Sequence, residues 1–287
     1  MRTLLATACV LLVLGHASIA QPPAVAPNEQ IEIAYVQPSA AEFGAIYERL
    51  RSRRVLETLQ AFLSPLRLDQ KLVVKIDQCG ATLVRYKSPG PVTLCYEYIE
   101  QVERLAPKAT VILAQGPVTT ESAVVGPVVQ ALLHDVAMAV FALMDTPVWG
   151  RVDDAADRLA AFLMLQFGPD VAWNTVMGTA WFLAGNATAA PDFADVRGAV
   201  AQRYYTTLCV AYGGEQRKAF KVDPDRSFAN FVATSTAGSL PLDRAASCPR
   251  EYDLVKMAFL NEIGPHLDQV RLEAVQAAKW INFGSAN

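Results

Sequence analysis

Histidine is scarce in this chain: three in 287 residues, at His16, His134 and His266. A leader would remove His16, so only His134 and His266 remain to hold a metal or carry a proton. His266 precedes a helical stretch and reads as a surface residue. Basic residues form no run or stripe, which argues against a nucleic-acid partner. Gly-rich phosphate loops, Gly-x-Ser-x-Gly elbows and internal repeats are all missing, so phosphate-loop enzymes, α/β-hydrolases and solenoids are not indicated. Charge is sparse, 18% of residues against 52% hydrophobic, with a formal net charge of −3. Such a chain buries a sizeable core, as one domain or as two packed lobes.

The first residues read as a processing signal. Arg2 supplies positive charge, Leu4 to Leu14 an apolar core too short to span a bilayer, and Ala17 to Ala20 a small-residue cleavage site. The expectation is a signal peptide over 1–20, a Pro- and Ala-rich tether over 21–30, and one domain over 31–287. Its destination would be periplasmic or secreted. Without Arg2 the net charge becomes −4. Cys79, Cys95, Cys209 and Cys248 are an even set in an exported chain, the composition of a disulfide framework. Pairs Cys79–Cys95 and Cys209–Cys248 each bracket a local unit and are favoured among three connectivities; four buried thiols are the alternative.

Periodicity predicts an α+β fold with a small N-terminal sheet (a lobe over 31–118) and a mainly helical body (119–287) around a central buried helix. Strands are expected over 31–36, 71–76, 81–86, 92–96 and 109–113, and a helical face over 40–63. Later helices are expected over 171–183 and over 193–212, the latter ending at Gly213-Gly214 as a cap. A loop-rich stretch should run to Pro249, with helix from Glu251 onward. The longest apolar run, Ala123 to Met144, contains Pro127, Gln130, His134 and Asp135, so it reads as a core helix and not a membrane span. Asn186 to Thr188 forms a short glycosylation sequon that carries little weight.

The chemistry concentrates on that run and on the helix after it. His134 and Asp135 sit side by side where burial costs free energy unless they are paired or bind something. Asp153 and Asp157 follow at i, i+4 on the next helix, and Asp154 with Arg158 reads as a solvated ion pair. In a zincin, two His at i and i+4 on one helix meet a zinc ion while a Glu beside the first polarises bound water. In one branch a Glu on the next helix is the third ligand, and an Asp four residues later orients a ligating His.

The chain resembles the exported putative metallopeptidases with a His-Glu-x-x-His helix, known mainly as a domain of unknown function. Cys79-Gly80 with Thr93 to Glu97, Val148 to Arg151 with Asp153 to Asp157, Tyr204 to Gly213, and Leu240 to Tyr252 are similar to that family's signatures. The resemblance runs from about Ile31 to about Leu267. It implies a zincin-like fold, zinc, and a hydrolytic cleft. It places His134 as first ligand, Asp135 as the residue that activates water, Met138 at the second His position, Asp153 as third ligand and Asp157 as orienting residue. Asp135 and Asp153 are one methylene shorter than glutamate, and Met138 is no imidazole.

Three readings follow. The scaffold survives without its metal, with His134 satisfied by Asp153 or Asp157 and a peptide or protein bound in the old cleft. Or a non-standard metal site still drives a peptidase. Or His134 and Met138 form a soft pair for Cu(I).

Overall fold

The computed structural model describes residues 28–80, 86–106, 118–187, 194–221, 223–233 and 240–278. The leader, most of the tether, the strands expected over 81–86 and 109–113, and Thr188 of the sequon fall wholly or mainly outside these ranges.

Three strands form a parallel sheet in the order β1 (Ile31–Tyr35), β2 (Leu72–Asp77), β3 (Val92–Cys95). Alternation builds it: Leu72, Val74 and Ile76 of β2 are buried while their neighbours are half-buried. Parallel neighbours need a crossover, and between β1 and β2 it is helical. The single helical face expected over 40–63 is two helices, α1 (Gly44–Ser52) and α2 (Val55–Leu63). Arg54, at φ 52°, turns the chain between them. After β3 comes α3 (Tyr96–Leu105), and the Cys79–Cys95 disulfide ties its entry to the end of β2. The Glu97 carboxylate accepts the backbone N–H groups of Cys79 and Gly80.

The central helix is α4 (Thr120–Leu143). Thr119 caps it, its hydroxyl accepting the Ser122 N–H at 3.0 Å. Although α4 is long and apolar enough to cross a membrane, 67% of its most apolar window is buried inside the protein. Around it lie α3, α5 (Val152–Met164), α6 (Pro169–Asn186) and the sheet. One cluster of buried apolar side chains runs from Ile31 of the sheet to Val275 near the C-terminal end.

Helices α4 and α6 approach backbone to backbone. A Cβ on Gly178 would lie 1.8 Å from the Ser122 carbonyl oxygen, and one on Gly126 would lie 2.6 Å from that of Thr175. Gly178→Ala is therefore expected to cost about 3 kcal/mol or more, the upper range for overpacking, because two rigid backbones must part. A urea melt reads it; a cost below about 1 kcal/mol would mean that the helices slide apart freely.

Helix α7 (Val200–Gln216) does not stop at Gly213-Gly214. Those glycines are there for closeness: a Cβ on Gly213 would sit 2.3 Å from the Cys248 carbonyl oxygen of α8 (Leu242–Ala258). The stretch expected as loop up to Pro249 is also corrected. Helix α8 begins at Leu242 and passes through Pro249, whose interior cost of about 3 kcal/mol is offset by packing on α7 and by the Cys209–Cys248 disulfide. A short parallel pair, β4 (Val232–Ala233) with β5 (Leu240–Pro241), leads into α8, and α9 (Gln269–Ala277) ends the described chain. The two disulfides join the cysteines expected from the sequence and suit an oxidising compartment.

Candidate active site

Midway along α4, His134 is 2% exposed and Asp135 1%. The i, i+4 spacing on α5 turns Asp153 and Asp157 inward toward them, and both are buried. His134 Nδ1 lies 2.8 Å from Asp157 Oδ1. An ionised carboxylate only accepts, so Nδ1 carries the proton. Gln130, one turn earlier on α4, donates to the same oxygen at 2.9 Å. Arg203 of α7 closes the group, its Nε donating to Asp157 Oδ2 at 2.7 Å and a terminal nitrogen to Oδ1 at 3.0 Å. Sequence spacing never pointed to Arg203, because α7 reaches α5 only through the fold.

The other imidazole nitrogen, Nε2, is 3.5 Å from Asp153 Oδ1 and 3.9 Å from Asp135 Oδ1. Both separations are too long for a strong hydrogen bond, so among the described residues buried Nε2 has no hydrogen-bond partner, nor has Asp135 Oδ2. Burial alone would raise the Asp157 pKa, but the Arg203 guanidinium and the His134 hydrogen bond outweigh it and hold the carboxyl well below its usual range. Burial pulls His134 down; the flanking carboxylates of Asp153 and Asp157 more than reverse this, so its pKa is raised. His134 in turn lowers Asp153. Asp135 goes the other way, pushed up by burial.

A cavity of about 220 Å³ opens beside His134 and Asp135, lined also by Tyr98, Gln101, Asn186 and Arg197. Met138 is absent from its lining; half-buried, it packs against the apolar core. His266 is exposed in a short 3-10 turn elsewhere on the chain.

Residues 35–261 match the family described as "Putative metallopeptidase". The chain belongs to this metallopeptidase family. No curated protein and no solved structure matches it.

Membership in a metallopeptidase family implies a metal cofactor, and the buried donors can be tested against one. Catalytic zinc takes three protein donors and leaves a fourth position open. Among the described residues, the one group of three His, Cys, Asp or Glu ligand atoms mutually within 4.8 Å is Cys79, Cys95 and Glu97, and its sulfurs are spent in a disulfide. His134 and Asp153 come close to each other, and Met138, one turn along α4, packs against the core. Among the described residues, no third donor of these types joins that pair within the same distance.

Proposed function

We propose that this chain keeps the zincin-like helix pair of the metallopeptidase family as architecture, has given up zinc hydrolysis, and binds a peptide or protein segment in the cavity beside Asp135. The supporting observation is the bracket around His134. Asp157 holds Nδ1 at 2.8 Å, while Nε2, the nitrogen that would face a metal, faces Asp153 at 3.5 Å. With Arg203 on Asp157, the four side chains can balance one another's charge without an ion, which removes the cost of burying them singly. Asp135 stands outside this group and takes a backbone hydrogen bond from Tyr86. Its Oδ2, without a partner among the described residues, can join Tyr98, Gln101, Asn186 and Arg197 around the cavity in pairing the amide groups of one or two peptide residues. Such a protein would act outside the cytoplasm, where its disulfides persist.

One distance favours a second reading. Ligands bound to one zinc at about 2.0–2.2 Å stand about 3.4 Å apart, close to the 3.5 Å between His134 Nε2 and Asp153 Oδ1. An active peptidase with a non-standard metal site, completed by Asp135, would use that pair, and Asp135 would then have to serve as both ligand and base. Metal content separates the readings. The purified protein, dialysed against trace zinc, is expected to carry no more metal than its His134→Ala variant. Near-stoichiometric zinc that the variant loses would overturn the first reading and establish the second.

A further inference from the structure

Two cavities away from His134 meet on the outer face of α5. One is a trough of about 790 Å³ between α5, the turn before it, and α8 with the turn that follows. Its walls are largely Trp149, Leu159, Leu254, Val255, Phe259 and Ile263. Trp149 is 98% exposed and Leu254 48%, an unusual cost in apolar surface if the trough stays empty. The other cavity, of about 370 Å³, carries three guanidinium groups, with Arg151, Arg158, Arg244, Gln202 and Tyr205 on its walls. Arg151, Asp154 and Arg158 line both.

The three guanidinium groups are not equivalent. Asp154 neutralises Arg151 at 2.9 Å, and Glu251 neutralises Arg244. Asp154 was expected to pair with Arg158, yet Arg158 only donates to the Asp154 backbone oxygen at 3.0 Å. Among the described residues no carboxylate oxygen lies within 4.0 Å of its guanidinium nitrogens. Among the described residues, a charge without a counter-ion therefore stands where an apolar trough meets a basic cavity. Glu262, exposed on the trough rim, disfavours an anion on its own side.

We propose that the two cavities together bind a single-chain anionic amphiphile, its apolar chain in the trough and its carboxylate or phosphate head on Arg158. The helical walls have satisfied their own backbone groups, so an extended peptide laid there would leave its amides unpaired, whereas a methylene chain asks for no hydrogen bonds. Arg158 supplies the charge-assisted bond that orients the head.

The test is calorimetric titration with sodium dodecanoate and with monododecyl phosphate, both below their micelle-forming concentrations, alongside dodecyltrimethylammonium and dodecanol. One-to-one binding of an anionic probe is expected, with a blue shift in tryptophan emission that Trp149→Phe abolishes. Arg158→Gln should weaken the anionic probe about tenfold or more, as loss of one charge-assisted hydrogen bond does, and leave dodecanol unchanged. Arg158→Lys, which keeps the charge, should retain most of the binding and guards against a folding artefact. Preference for dodecanoate identifies a free acyl carboxylate as the ligand class, and preference for the phosphate a lipid headgroup. Equal binding of dodecyltrimethylammonium, or affinity unaltered by Arg158→Gln, overturns the proposal, as does displacement of the probe by an apolar peptide alone.

Discussion

Replacing Asp157 by alanine is expected to lower the unfolding free energy by about 3–5 kcal/mol, the cost of leaving a buried charge without its partner. Three side chains lose their acceptor at once. Arg203 keeps a buried positive charge, His134 Nδ1 loses its bond and Gln130 its oxygen. Arg203→Met should cost a similar amount, because Asp157 is then buried without its cation. Combining Asp157→Ala with Arg203→Met should cost clearly less than the sum of the single changes, since removing both members of a buried pair leaves neither charge unpaired. Urea melts of the four proteins close this cycle. Additive losses would show that the pair contributes no coupling, and the site would then be held by packing alone.

The same group fixes a pH profile. Asp157 has a folded pKa below its unfolded value, so its contribution is complete above about pH 5 and is lost as the pH falls from there. His134 has a raised folded pKa. Its contribution is present below about pH 6.5, the unfolded value, and fades as the pH rises through the folded one. Stability of the wild type should peak between these limits. The acid limb should flatten in Asp157→Ala, because the variant has no carboxyl there to protonate. Chemical melts across pH 3–9 measure it, and an unchanged acid limb would mean that other carboxylates govern acid unfolding.

What was legible in the sequence was local in the chain. Side chains at i and i+4 share a helical face whatever the tertiary fold, so Asp153 with Asp157 could be placed on one face before any coordinates. Cysteines bracketing one unit were legible for the same reason. Arg203 was hidden because only the packing of α7 on α5 brings it to Asp157. Punctuation misled where tertiary contact overrode it. Gly213-Gly214 reads as a helix end, yet it marks a close crossing with α8, and Pro249 reads as a stop although α8 continues through it. Arg158 misled in the opposite direction, since spacing gave it to Asp154 while Arg151 took that carboxylate first.

Installing the family's metal-binding residue types should create a zinc site on the proposed reading. In the triple variant Asp135→Glu, Met138→His and Asp153→Glu, an imidazole returns one turn from His134 and both carboxylates gain the missing methylene. If the helix pair has kept its zincin-like spacing, the variant should bind zinc, whereas the proposed function has the wild type binding none. At zinc about a thousandfold above its dissociation constant, the variant should gain about 4 kcal/mol of stability through linkage. Without metal it should be weaker than the wild type by about 1–3 kcal/mol, because the new imidazole replaces a packed thioether and has no assured partner. Met138→His alone separates the two effects: it should show the metal-free loss with little zinc rescue, since it supplies the imidazole without lengthening either carboxylate. A triple variant that folds but gains nothing from zinc would show that α4 and α5 have drifted from the ligating geometry. The bracket around His134 would then be a structural feature of the core, with no remnant of a metal site in it.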